Sequence, residues 1–283
     1  MLRIAIQTKG RLNEESVRLL DEAGISVSDD KRKFLLKSSS FPIEILFLRD
    51  DDIPQTVSMG AADIGIVGLN EVRERAFKVD VLQNLTFGKC HLALAIPKGD
   101  NYDSLKFFEG KRIATSYPGI LTDYFKGKGI NAEIHNIAGS VEIAPAAGLA
   151  DAIFDIVSSG GTLISNGLKE VERVFDSEAV LIGTPGLDGE KKSLIDQLMF
   201  RFNAILMSRK KKYLLMNLPE SSVEEAVKIL PALRSPTVMP LAAKGWCSMH
   251  SVVNEADLWE KIEKLKAIGA EGILVLDVEK IIC

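Results

Sequence analysis

An apolar run, Ala152-Ile153-Phe154-Asp155-Ile156-Val157, passes directly into Ser158-Ser159-Gly160-Gly161-Thr162-Leu163. The first part reads as a buried strand and the second as a turn rich in hydroxyls and glycine. Alternation along a strand sends the Asp155 side chain to the face opposite its apolar neighbours. Gly160 and Gly161 leave backbone N–H groups open to close approach. Consecutive N–H groups form a concavity that attracts anions, and Ser158, Ser159 and Thr162 add hydroxyls. A helix starting near Leu163 adds the field of its N-terminus. The pattern is a phosphate cradle with a carboxylate at its lip, suited to ribose hydroxyls or to Mg²⁺. The bland alternative is an ordinary Ser/Gly turn. An acid inside an apolar strand speaks against it, because a buried carboxylate is costly unless paired or used. The loop lacks the Gly-Lys-Ser/Thr of a Walker A and the Gly-x-Gly-x-x-Gly of a dinucleotide fold.

The chain has 283 residues, room for two or three small domains. Its 46% hydrophobic content supports real cores, and a net charge of −4 argues against a broad nucleic-acid-binding surface. Cys90, Cys247 and Cys283 are scattered and odd in number, which is neither a disulfide framework nor a zinc pattern. Reduced thiols in a cytoplasmic protein are the expectation. Met1 to Ile6 reads as a short strand rather than a signal peptide, and no apolar run is long enough to span a bilayer.

Strand-like and helix-like runs alternate from the start. Leu2–Ile6, Ile43–Leu48 and Asp63–Val67 read as strands. Asn13 is placed to cap a helix that ends at Gly24, Pro54 to open another, and Asn70 to cap a third. A second α/β lobe opens near His91–Ile96 and continues through Arg112–Thr115, Glu133–Ile137 and Ala152–Val157. Val180–Ile182 returns toward the first lobe, and Lys191–Ser208 forms a long helix. The alternation predicts parallel-rich sheets covered by helices. From Lys212 the order changes: strand to Asn217, helix Ser222–Leu230, strands Thr237–Leu241 and Cys247–Val253, helix Ala256–Ile268, strand Gly272–Val278. This βαββαβ order is the ferredoxin-like plan.

The stretch from Glu142 through Gly148-Leu149-Ala150-Asp151 to Asp155–Leu163 resembles the signature of the ATP phosphoribosyltransferases over more than twenty contiguous positions. Gln7-Thr8-Lys9-Gly10-Arg11-Leu12, Arg49–Pro54, Asp63–Gly68 and Lys111–Pro118 agree with the same family. The resemblance implies transfer of phosphoribosyl from phosphoribosyl pyrophosphate to N1 of ATP, the first step of histidine biosynthesis. It implies a bilobal, periplasmic-binding-protein-like catalytic core: residues 1–90 with about 180–210 as one lobe, and 91–179 as the other. The ferredoxin-like unit, 211–283, would be a regulatory domain for histidine feedback. The family further suggests Mg²⁺ and homo-oligomers, both dimers and hexamers, with no nucleic-acid or membrane partner.

Ligands of open α/β sheets sit beyond the carboxyl ends of strands. Lys9, Arg11, Arg49, Gly68, Thr115 and Ser158–Thr162 all lie just past such ends, so one cleft would collect them. The turn suits the ribose 5-phosphate of phosphoribosyl pyrophosphate. Glu142 and Asp155 suit the ribose hydroxyls, the metal, or the positive charge developing on the ring. Lys9 and Arg11 are either solvated cations or phosphate contacts, and Arg49 either pairs locally with the following aspartates or faces the cleft. Arg112, Thr115, Ser116 and Tyr117 are candidates for the adenine nucleotide, with packing the alternative for Tyr117. Asn217, Ser235 and Thr237 are the candidates for regulatory histidine, helped by a neighbouring subunit. His91, His135 and His250 have no metal spacing, and Trp246 and Trp259 are expected to pack. Two other readings are a bilobal anion sensor without chemistry and a phosphoribosyl enzyme for another base. The paired acids beside the turn disfavour the first.

Overall fold

The computed structural model describes residues 1–26, 35–158, 160–187, 189–230 and 235–282. Ser159 and Cys283, both singled out above, lie outside them. Two compact units, 1–196 and 197–283, divide within the long helix α6 (Gly189–Ser208).

The first unit holds two sheets. One contains β1 (Leu2–Gln7), β2 (Leu35–Lys37), β3 (Ile43–Leu48), β4 (Ile64–Gly68), β5 (Asp80–Asn84) and the late strand β11 (Ala179–Gly183), in the order β2-β3-β1-β4-β11-β5. Helices α1 (Arg11–Glu22), α2 (Ile53–Ser58) and α3 (Leu69–Arg75) alternate with its strands. The other contains β6 (Cys90–Pro97), β7 (Arg112–Thr115), β8 (Glu133–Asn136), β9 (Ala152–Val157) and β10 (Leu168–Ser177), ordered β10-β6-β9-β7-β8, with helices α4 (Pro118–Lys128) and α5 (Gly161–Ser165). Central strands are apolar on both faces: Leu2, Ile4, Ala5 and Ile6 of β1, and Ala152, Ile153 and Phe154 of β9, are fully buried.

The sheets are less parallel than the alternation predicts. β1 runs parallel to β3 and β4, and β7 to β8 and β9. β11 is antiparallel to both its neighbours, as is β6. These strands enter from the opposite lobe and so come in from the other end. Three strands that the apolar pattern does not mark, β2, β5 and β10, are edges with exposed or mixed faces.

Helix starts differ from the expected caps. Gly10, at φ 91°, precedes α1, and Asn13 instead donates from Nδ2 to the Gln7 carbonyl at 2.5 Å. Gly68 precedes α3, and Asn70 lies buried inside its first turn.

The second unit contains β12 (Lys211–Pro219), α7 (Val223–Ile229), β13 (Thr237–Pro240), β14 (Trp246–Asn254), α8 (Leu258–Ala267) and β15 (Glu271–Asp277). Its sheet order, β13-β14-β12-β15, is antiparallel throughout, the ferredoxin-like arrangement. Leu214, Met216, Leu218, Met249 and Leu265 fill its core. Trp259 does not pack: it is 76% exposed. No helix among the described residues is long and apolar enough to cross a membrane.

One buried acid joins β1, β4 and α6. Asp63 is 5% exposed. It accepts the Arg3 backbone N–H at 2.8 Å and the Lys191 ammonium at 2.6 Å. Hydrogen bonds to a charged group contribute about 1.5–3 kcal/mol. Asp63→Ala is therefore expected to lower the urea midpoint by a corresponding amount, followed by circular dichroism. An unchanged midpoint would remove this anchor from the stability of the first unit.

Candidate active site

The carboxyl ends of β1, β3 and β4 and the end of β9 face a cavity of about 570 Å³, within the usual size range for small-molecule sites. Its walls include Arg11, Asp50, Gly68 and Glu71 from the first lobe and Ile156 and Ser158 from the second. Lys89 and Cys90, on the connection between lobes, close one side.

Asp155 is half-buried on β9, opposite Ala93 of β6. Its Oδ1 accepts the Ile156 N–H at 2.8 Å. Burial pushes its pKa up to about 6, the Ile156 hydrogen bond opposes this, and the Glu142 charge adds to the rise. Glu142 stands on a single 3-10 turn, Val141–Ile143, that follows Ser140 in the left-handed region. The charge of Glu142 therefore reaches Asp155 from the other end of the signature. Ile156 is 39% exposed, so β9 has an apolar buried start and an open end.

Ser158 is exposed toward the cavity. Gly160, at φ 73°, turns the chain into α5, which begins at Gly161, two residues earlier than expected, and spans only five residues. A side chain at Gly160 would meet open space but strained backbone. Gly161 and Thr162 are exposed beside it. In the first lobe, Lys9 and Arg11 are exposed in the turn after β1. Arg49 is 79% exposed and pairs with Asp51 at 3.3 Å, the local ion pair.

Four candidates for the nucleotide are committed elsewhere. Arg112 begins β7, at the opposite end from Thr115. Its guanidinium pairs with Asp151 at 2.9 Å and also donates to the Gly148 carbonyl. That pairing, with the Arg112 N–H, holds the Asp151 carboxyl down at about 2. Thr115 is fully buried, and its Oγ1 accepts the Tyr117 N–H at 2.8 Å. Ser116 donates to the Ile137 carbonyl at 2.6 Å. Tyr117 packs in the second-lobe core, 8% exposed, as its packing alternative anticipates. Its ring is fixed by packing and its hydroxyl by polar partners.

Those partners were not legible in sequence. Asn70 and Glu71 are buried yet line the cavity. Asn70 Nδ2 donates to Glu71 Oε1 at 3.0 Å and to the Tyr117 hydroxyl at 3.3 Å. Burial and then Asp50 raise the Glu71 pKa. Gly68 makes room for this group, since a Cβ there would stand 2.4 Å from Asn70 Oδ1. Two consecutive polar residues, Asn70-Glu71, two positions after an apolar strand were the available signal.

Each histidine has a local partner: His91 with Glu170, His135 with Glu133, and His250 with Tyr213. Among the described residues, no group of three or more His, Cys, Asp or Glu is arranged to hold a metal. In the second unit, Asn217 is in register with Ser248, and Thr237 with His250. β14 lies between their strands and the two positions are offset by two residues along it, so Asn217 and Thr237 stand about 12 Å apart on the sheet. Ser235 is exposed just before β13.

The family model for ATP phosphoribosyltransferase matches residues 49–204. That for the HisG C-terminal domain matches residues 208–280. An ATP phosphoribosyltransferase of Bacteroides thetaiotaomicron is 57% identical over 282 residues, covering 100% of each chain. One of Phocaeicola vulgatus is 58% identical with the same coverage. A solved chain of the ATP phosphoribosyl transferase (HisG:HisZ) complex from Thermotoga maritima is 29% identical, with a TM-score of 0.62 over 71% of this chain and 96% of that one. Matched in both its segments and along its full length, this chain belongs to the ATP phosphoribosyltransferase family, in the form that carries the C-terminal domain.

Proposed function

We propose that this chain performs its family's reaction in the cleft between its two α/β lobes. The reaction transfers phosphoribosyl from phosphoribosyl pyrophosphate to N1 of ATP and begins histidine biosynthesis. N1 bonds to the anomeric carbon as the bond from that carbon to pyrophosphate breaks, the electron pair leaving on oxygen. The ring gains positive charge while pyrophosphate gains negative charge, and a fixed site must favour both.

The observation that carries the assignment is Asp155: a half-buried carboxylate in the second half of β9, within the field of Glu142 and three residues before the open turn. In this reading, Ser158, Ser159, Gly160, Gly161 and Thr162 hold the ribose 5-phosphate. Asp155 and Glu142 face the ribose. Lys9, Arg11, Arg49 and Gly68 border the ATP side, and Arg112, Thr115, Ser116 and Tyr117 act there only by shaping the second lobe. Two carboxylates within each other's field fit a hard cation that keeps several waters and binds chiefly through substrate phosphates. Mg²⁺ is therefore the proposed metal; Asp155 and Glu142 are the residues that would face it, and it would supply charge neutralisation for the pyrophosphate. The proposed setting is cytoplasmic, as a homo-oligomer of dimers and hexamers. The Thermotoga maritima relative, a chain of a two-protein complex, supports assembly in a general sense.

Purified protein given ATP, phosphoribosyl pyrophosphate and Mg²⁺ is expected to release pyrophosphate. Protein that binds either substrate without release would be a sensor instead. Gly160→Val, through backbone strain at φ 73° that distorts the turn, and Thr162→Ala, through the loss of a charge-assisted hydrogen bond, are each expected to weaken phosphoribosyl pyrophosphate binding about tenfold or more. Calorimetry showing unchanged affinity in both variants would take the turn out of the site.

Asp155 also sets a pH limb. It works ionised, so kcat/KM should fall as pH drops through about 6 in the free enzyme. Asp155→Asn should lower turnover by about 10²-fold and abolish that limb. Because burial raises this pKa, the fold favours the protonated carboxyl, and the stability it contributes is lost as pH rises through about 6. Asn at this position should therefore melt no lower than wild type at pH 8. Near-normal turnover, or a persisting limb, would sink the assignment.

Feedback by histidine is assigned to the second unit. Asn217, Ser235 and Thr237 are polar positions there, and the spacing of Asn217 and Thr237 across β14 favours completion of the site by a neighbouring subunit. Allosteric coupling is typically about 1–3 kcal/mol. Thr237→Ala is expected to raise the half-inhibiting histidine concentration about fivefold or more while uninhibited turnover stays intact. Steady-state rates with and without histidine decide this; full sensitivity in the variant, or histidine competing directly with ATP, would disprove the site.

A further inference from the structure

The helix α3 belongs to the first lobe but is fastened to the second at both ends. At its start, the Leu69 N–H donates to the Glu178 carbonyl at 2.9 Å. The Asn70 N–H donates to Ser177 Oγ at 3.0 Å, and that hydroxyl donates back to Asn70 Oδ1 at 2.8 Å. Ser177 ends β10 and is in register with Cys90, which begins β6. Both passages of the chain between the sheets meet there.

At its far end, α3 reaches α4. The Gly119 and Ile120 N–H groups donate to Glu74 Oε1 and Oε2 at 2.8 and 2.9 Å. First-turn N–H groups have no partner within their own helix, and the helix field there favours a carboxylate. A Cβ at Gly119 would stand 3.1 Å from Glu74 Oε1, so glycine makes room for the cap. Between the two ends, Asn70 bridges Glu71 and the Tyr117 hydroxyl.

We propose that α3 is a strut that sets the opening of the inter-lobe cleft, with Glu74, Glu71 and Tyr117 as positioning residues for phosphoribosyl transfer. This rests on the reading that the substrates meet in that cleft. The first lobe supplies Arg11 and Gly68, and the second supplies Asp155 and the turn after it. Two reactants held on different lobes react only when their atoms lie about 3–3.5 Å apart, and a misplacement of about 1 Å costs about 10²-fold in rate. A rotation at the Ser177 crossing is the motion that would misplace them, and Glu74, near the far end of α3, opposes it through its hold on the start of α4.

The test uses the full chain. Glu74→Ala is expected to lower kcat at least about tenfold while both KM values stay within about threefold, because each substrate keeps its own lobe. Glu74→Gln, which retains one acceptor, should recover part of that loss. If Glu74→Ala does not fold, Gly119→Val crowds the same carboxylate and should reproduce the effect. A second readout is the lobe-to-lobe distance between spin labels at Met59 and Lys126, both exposed. It is measured after Ser replaces the three cysteines and with labelled chains diluted by unlabelled ones. The distribution should broaden in Glu74→Ala. A kcat within twofold of wild type, or an unbroadened distribution, overturns the strut. Asp155→Asn run in parallel separates the causes. If it too is fully active, the cleft assignment has failed; if it alone is inactive, only the strut has.

Discussion

The cleft exists because the chain crosses between its sheets twice, and the crossings are paired at Ser177 and Cys90. That pairing goes with β6 and β11 entering their sheets from the far end, which makes them antiparallel to the strands they join. It also turns the carboxyl ends of β1, β4 and β9 toward one space. A cavity lined from both lobes is the geometric result. Asn70 occupies the crossing and needs the missing side chain of Gly68 to fit. The restriction at Gly68 is therefore first one of packing, whatever ligand approaches it later.

Environment rather than residue type divides the acids of this chain. Asp151 and Asp155 lie four residues apart, the first just before β9 and the second inside it. Asp151 receives the Arg112 guanidinium and backbone N–H and is held down at about 2. Asp155 gains only the Ile156 N–H, is partly withdrawn from water, and sits within the field of Glu142, so it rises to about 6. One carboxylate is matched and structural. The other is held in an unfavourable state that an incoming positive charge would relieve, and strongly perturbed groups in clefts are where chemistry is to be sought.

The short-range patterns of the sequence carried a good deal of this. Apolar continuity over Ala152–Val157 marked β9, and the glycines after it marked the sharp turn, since both depend on adjacent residues. The order of elements after Lys212 was readable for the same reason, and the ferredoxin-like sheet follows from it. Arg112 and Thr115-Ser116-Tyr117 were harder. Nearness in sequence suggested one group of ligand contacts, yet Arg112 lies a strand length from Thr115 and has Asp151 as its partner. Thr115 and Ser116 spend their hydroxyls on nearby backbone. Trp259, expected inside, stands on the outer face of α8.

Local sequence by itself determined the strand and turn that hold Asp155, the family signature around it, and the change of plan at the third domain. These rest on periodicity and backbone preference, which act over a few residues. Tertiary structure alone decided that burial, with the charge of Glu142, raises Asp155, that Tyr117 points its hydroxyl at Asn70 and Glu71, and that Glu74 caps a helix 44 residues away. Those interactions join residues far apart in the chain. Burial and charge act through space, and the spacing appears only once both lobes are folded.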